Sequence, residues 1–172
     1  MKKFLLPLLF LFLFIFESLF IQFLPGNFLG HNRIFVPRFL FCAVLLLTIF
    51  IGRKPGMIYA AILGLVFDIV YIEIIGIYLF LFPFVTYLIS KIMHVLQANL
   101  IVAFLVTLIG VGLLEFGVFA MDLLIHVTNL DILSFLNLRL YPTLMLNAVF
   151  LLIFIYPLKR FMEKYAILGR DE

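Results

Sequence analysis

The sequence predicts an all-α integral membrane protein, a six-helix transmembrane bundle in a single domain. Three observations carry that expectation. Of the 172 residues 67% are hydrophobic and only 12% charged, with a mean hydropathy of +1.33, whereas soluble domains carry about 25% charged residues. The apolar runs are long and lack the two-residue alternation of a barrel strand, which leaves helices as the element able to satisfy its own peptide groups in lipid. The basic residues fall in short clusters between those runs, so the net charge of +3 and the pI near 9.1 read as topology signals rather than as a nucleic-acid footprint.

The spans follow in order at about 4–24, 34–51, 57–72, 75–90, 99–125 and 139–157. Lys2 and Lys3 precede the first, which is long enough to cross a hydrocarbon core of about 30 Å. Bulky Phe, Leu and Ile continue to its end without a small-x-small cleavage site, so it is expected to remain as an uncleaved anchor. Pro25, Gly26, Asn27, Gly30 and Asn32 make a helix-breaking loop, and Arg33, Pro37 and Arg38 lead into the second span. Gly52-Arg53-Lys54-Pro55-Gly56 reads as a tight basic turn. The apolar stretch from Met57 to about Ser90 would be about 51 Å long as one helix, too long for one crossing. It is expected to fold into a hairpin near Glu73 to Gly76. Lys91, His94, Gln97 and Asn99 form the next connection, and residues 126–138 a loop of mixed polarity along the interface. The last span is expected to begin near Arg139 and to end at Tyr156-Pro157.

Whether that hairpin is counted as two spans or one reverses the topology of everything after it, and the distribution of Lys and Arg decides. With six spans the inside carries Lys2, Lys3, Arg53, Lys54, Lys91, Lys159, Arg160, Lys164 and Arg170, leaving Arg33, Arg38 and Arg139 outside. With five spans only Lys2, Lys3, Arg53, Lys54 and Arg139 stay inside. Positively charged loops stay in the cytoplasm, so six spans with both termini cytoplasmic are predicted.

Reaction chemistry finds little footing. Cys42 lies alone in an apolar run, and His31, His94 and His126 belong to no metal-binding pattern. No phosphate-cradling Gly-Lys loop and no Ser-centred elbow occurs. No enzyme activity, metal or cofactor is expected.

The informative residues are the polar ones inside apolar runs. Glu17, Asp68 and Glu115 all fall in the outer half of the bilayer under this topology, and Asp122 shares the helical face of Glu115 seven residues on. Arg38 and Arg139 enter the second and sixth spans from that same side. A lone carboxylate in lipid costs at least about 2.5 to 3.5 kcal/mol, so the acids are expected to face the bundle interior and pair with the arginines, or to be protonated. Asp68 follows Ala60 and Gly64 at four-residue spacing, a face that lets another helix approach closely; its first role is packing, with a catalytic or proton-carrying role second. Pro83 predicts a kink, Pro142 a tolerated proline in the first turns of the last helix, and Asn147 a hydrogen bond to a neighbouring helix. Tyr59, Tyr71, Tyr78, Tyr141, Tyr156 and Tyr165 sit mostly near span ends, as interfacial aromatics do, and the 23 Phe are read as lipid-facing bulk.

Together these residues carry a resemblance. Pro37-Arg38 entering the second span, MIYAAILGLVFD through Asp68, Gly76-Ile77-Tyr78, Leu114-Glu115-Phe116, and Arg139-Leu-Tyr-Pro142 followed by Asn147 resemble, in order and spacing over the whole chain, the MreD family of rod shape-determining membrane proteins in its Gram-positive form. Ala60 stands where that family often has glycine. The resemblance implies a non-enzymatic scaffold of the cell-elongation machinery. Its implied partners are MreC and, through it, MreB, RodA and a class B penicillin-binding protein. The implied partner-binding or intramembrane polar cluster comprises Glu17, Arg38, Gly64, Asp68, Glu115, Asp122, Arg139 and Asn147. In helix count the family also resembles the substrate-binding S-components of energy-coupling-factor vitamin transporters, whose reading predicts an outward cavity lined by Glu17, Asp68, Glu115 and Arg139.

Overall fold

The computed structural model describes residues 4–23, 33–71 and 76–168, and every described element is helical. The helices are α1 (Leu5–Phe23), α2 (Phe39–Phe50), α3 (Arg53–Tyr71), α4 (Ile77–Met93), α5 (Leu100–Leu124), α6 (Ile132–Phe135) and α7 (Tyr141–Leu168), with a π-helical segment Leu136–Leu140 joining the last two. Because α6, the π segment and α7 run on without a break, the described residues form six helical rods. Four of them (α1, α3, α5 and the run starting at Ile132) are long and apolar enough to cross a membrane, and α2 and α4 are shorter apolar helices. The expected lysines Lys2 and Lys3, the loop at 25–32, the hairpin residues Glu73 to Ile75 and Arg170 lie outside the described residues.

α2 is the axis of the bundle. Every residue from Phe39 to Thr48 is buried, as expected of a helix that is apolar on all sides, and α1, α3, α4, α5 and α7 pack around it. With 12 residues it is about 18 Å long, well short of a bilayer core, and its N-terminal end, at buried Arg38, lies inside the protein rather than in water. Any polar group at that end must find its partners within the bundle.

Not every phenylalanine is lipid-facing bulk. Phe10, Phe39, Phe41, Phe67, Phe82, Phe119, Phe135 and Phe150 are buried, and they form seams between helices: Phe39 stacks on Phe150 of α7 at 4.2 Å and meets Phe16 and Phe20 of α1, while Phe41 meets Phe82 of α4 at 4.6 Å. Between helices already surrounded by lipid tails, shape-matched packing of this kind drives association in place of the hydrophobic effect.

Two elements differ from the sequence-based expectation. The basic stretch Arg53 to Gly56 is the first turn of α3, not a turn between helices, because Gly52 alone makes the corner in a left-handed conformation (φ 138°), after which Pro55 is accommodated in the first turn. Gly56 then extends the small-residue face of Ala60 and Gly64 by one turn, and lies directly against Thr48 of α2. At the other end of the chain the last helix starts at Ile132, not Arg139, and passes through Pro157 to Leu168. Pro142 is therefore inside a continuous helical run. A proline there has no N–H for the carbonyl four residues back and crowds it; the run widens into its π segment at that point, and the freed carbonyl of Leu138 accepts instead from Ile34 N–H at 2.7 Å. This bond ties the segment entering α2 to the last helix.

Candidate functional site

The end of the bundle where α1 and α3 finish and α2 and α4 begin holds the buried charged side chains Glu17, Arg38, Asp68 and Glu115, together with Thr143 and Asn147. Arg38, the residue preceding α2, is 3% exposed. Its Nε donates to Glu115 Oε1 at 2.6 Å, and its Nη2 donates to the hydroxyl of Tyr78 at 2.6 Å, with the guanidinium 4.9 Å from that ring. The second oxygen of Glu115 accepts from Arg139 Nε at 2.9 Å, and Arg139 Nη1 stands 4.0 Å from Asp122 Oδ2. One fully buried carboxylate is thus clamped by two arginines from two other elements, joining α2, α4, α5 and the π segment. In low dielectric such a triad is tolerable only when each charge is paired and hydrogen-bonded, and here each is.

Glu17 and Asp68 do not pair with the arginines. Both are helix caps instead. Glu17 Oε2 accepts from Leu40 N–H at 2.9 Å, supplying the first turn of α2 with an acceptor that its own chain lacks. Asp68 Oδ2 accepts from Gly76 and Leu79 N–H and its Oδ1 from Tyr78 N–H, each at 2.9 Å, so one carboxylate satisfies three amides at the start of α4. Negative charge at a helix N-terminus is favoured, and a buried helix end without acceptors is costly. Both acids are essentially unexposed, at 1% and 0%. Gly64, one turn before Asp68, makes the approach possible: a Cβ there would stand 2.5 Å from the carbonyl oxygen of Tyr78. The α3–α4 hairpin closes at the distance a glycine allows.

Asn147 completes the entrance to α2. Its Oδ1 accepts from Arg38 N–H at 2.9 Å, while its Nδ2 donates to the carbonyls of Val36 at 3.0 Å and Thr143 at 2.8 Å. Thr143 Oγ1 accepts from Val36 N–H at 3.2 Å. Residues 36 and 38 are thereby held like an added strand-like segment along α7. Asn147 thus bonds the lead-in to α2, and its Oδ1 also accepts from the Cys42 thiol within α2 at 3.9 Å, the neighbouring-helix contact that the sequence predicts.

Of the residues singled out from sequence, Arg38, Glu115, Asp122 and Arg139 come together, Asn147 joins them through the Arg38 backbone, and Asp68 and Gly64 join through Tyr78. Glu17 approaches from α1. Sequence reasoning missed Tyr78, which is buried (5% exposed) and bridges the Asp68 cap to Arg38, and Thr143. By position Tyr78 resembles an interfacial aromatic, and its place next to the start of α4 carries no sign of burial. Ser18 and Tyr71 also hydrogen-bond through their hydroxyls between α1 and α3.

Chemically the cluster is closed. Its carboxylates are occupied by internal donors, and among the described residues no group of three His, Cys, Asp or Glu could hold a metal ion. The furrows of about 320 and 400 Å³ lie at the other end of α1, lined by Phe4, Leu5, Leu8, Leu11 and, across from them, Phe161 of α7.

Fold and site together define a polytopic helical membrane protein whose buried charges fasten its helices to one another. The chain belongs to the MreD family: the model for rod shape-determining protein MreD matches residues 2–165. It is 36% identical over 172 residues, the full length of both chains, to the rod shape-determining protein MreD of Bacillus subtilis, and 27% identical over 142 residues, 83% of this chain and 84% of the other, to the cell shape-determining protein MreD of Streptococcus pneumoniae. No solved structure matches, so the likeness to transporter S-components has no structural counterpart here beyond helix count.

Proposed function

We propose that this chain is a non-enzymatic scaffold of the cell-elongation machinery that docks MreC in the plasma membrane and supports lateral peptidoglycan synthesis, with MreB, RodA and a class B penicillin-binding protein reached through that partner. Family membership supplies the rod-shape context. The observation that carries the scaffold reading is the Arg38–Glu115–Arg139 clamp: among the described residues this buried constellation is saturated by its own side chains, with the Glu115 carboxylate bound by two guanidinium groups rather than free to act as a base. Groups so fixed hold a shape, which is what a docking partner requires.

The reading also assigns sides. Both termini lie in the cytoplasm, and the clamp in the outer half of the bilayer, on the balance of positive charge. Co-purification of the full chain with MreC in mild detergent tests the scaffold directly; loss of association under conditions where the chain stays folded would sink it. Cysteines introduced at Leu96 and Asp131, both exposed, should react with an impermeant reagent from the cytoplasmic and the outer side respectively. The opposite pattern would invert the topology.

A further inference from the structure

The end of the bundle opposite the clamp carries a second constellation that the scaffold reading does not use. Arg53 opens α3 and Lys91 lies in the last turn of α4. Both reach over one ring, that of Tyr87: the guanidinium carbon of Arg53 is 4.4 Å from its centroid and Lys91 Nζ is 5.8 Å from it. Lys54 follows Arg53, and all three cations are exposed while Tyr87 is half-buried.

Two like charges gathered on one ring repel each other, and a cation–π contact offsets this by only about 0.5–1 kcal/mol at an exposed site. A counter-anion is the group the arrangement lacks. Among the described residues none is on hand. Glu17, Asp68, Glu115 and Asp122 are engaged at the other end, Asp131 follows α5 at that end, and Glu163 lies 3.6 Å from Lys159. Neither Arg53 nor Lys91 makes an ion pair with any of them. The location narrows the anion. α3 and α4 are apolar from this point inward, with exposed Ile58 and Phe84 close by in sequence, so the cations stand where hydrocarbon gives way to water. Tyrosine favours that level, and basic pockets between helices at it hold lipid head groups. A phosphodiester between an arginine fork and an ammonium gains charge-assisted hydrogen bonds from both.

We infer that Arg53, Lys91 and Tyr87 form a site for the phosphodiester head group of an anionic phospholipid, one per chain. The site is independent of the partner and of which side of the membrane it faces. The test uses the full chain purified in neutral detergent, with dioleoylphosphatidylglycerol titrated against dioleoylphosphatidylcholine and bound lipid read by native mass spectrometry. A single phosphatidylglycerol adduct is expected, with occupancy reduced about tenfold or more in an R53Q/K91Q double variant. K159Q/R160Q should retain it. Cys42, buried in the core, should stay unreactive to a maleimide in both variants, showing that they remain folded. Equal occupancy in R53Q/K91Q and the parent overturns the proposal. So does displacement of the adduct by millimolar inorganic phosphate, which would make the site one for a free anion.

Discussion

The amide of Ile34 donates to the carbonyl of Leu138 at 2.7 Å, across more than a hundred residues of chain. The bond exists because Pro142 leaves that carbonyl without its helical donor. P142A restores an amide at 142 that competes for Leu138, favouring an ordinary α-turn over the π segment. Arg139 sits in that segment, so a change of register rotates it away from Glu115. P142A should therefore make R139Q cheaper than it is in the parent, with a coupling of about 0.5–3 kcal/mol. Thermal unfolding of the four proteins in detergent measures it, and additive effects would show that the π segment does not position Arg139.

Glu115 is the shared anion of the clamp, so the order of damage is set by what each substitution leaves behind. E115L strands Arg38 without a counter-charge, at a cost of about 3–5 kcal/mol for a broken buried pair. R38L leaves Glu115 held by Arg139 and should cost less. The double variant R38L/E115L should recover much of the loss, since Arg139 retains Asp122 nearby. Because Cys42 is the protein's one cysteine and is fully buried, its rate of maleimide labelling reports unfolding in each case. Labelling of E115L no faster than of R38L would contradict this assignment.

Asp68 offers two oxygens to three amides. D68N keeps one oxygen and turns an NH2 toward donors, and D68L keeps none. We expect D68N to lower stability by about 1 kcal/mol and D68L by about 2 kcal/mol, the range of a lost helix cap. Both should weaken MreC co-purification if the α3–α4 hairpin is part of the scaffold. An unchanged melting temperature in D68L would show the cap to be dispensable.

How much of this was legible in sequence depends on whether a residue acts on a side chain or on a backbone. The convergence of Glu115, Asp122, Arg38 and Arg139 at one end follows from charge economy in lipid and from the spacing of the helices, and the small-residue face at Gly64 from its four-residue period. The capping roles of Glu17 and Asp68 were not legible. Their partners are amides of other helices, and amides leave no mark in the sequence. Arg53 to Gly56 looked like a turn because Pro and Gly are turn residues, yet Gly52 alone makes the corner. Pro142 looked like a helix start because prolines favour that position; the Leu138 carbonyl that it leaves without a helical donor is taken up by Ile34, 104 residues earlier in the numbering, beyond the reach of any local pattern.

Two helix glycines should respond to the same substitution with opposite signs. At Gly64 an added Cβ would lie 2.5 Å from the Tyr78 carbonyl oxygen and 2.9 Å from its carbon. That is backbone, which cannot swing aside, so G64A must push α3 and α4 apart. The displacement would pull Tyr78 from Arg38 and the α4 amides from Asp68, and overpacking of this kind costs about 1–3 kcal/mol. At Gly112, inside α5, the nearest atom to an added Cβ is a side-chain carbon of Leu144 at 3.9 Å, an ordinary contact. There G112A removes the entropic penalty of glycine in a helix, worth about 0.5–1 kcal/mol. Melting temperature in one detergent should fall for G64A and rise or hold for G112A. Faster Cys42 labelling should accompany only the first. If both substitutions behave alike, close approach at Gly64 is not what sets the distance between α3 and α4, and the alignment of Asp68 with its three amides must be fixed by the clamp beside it.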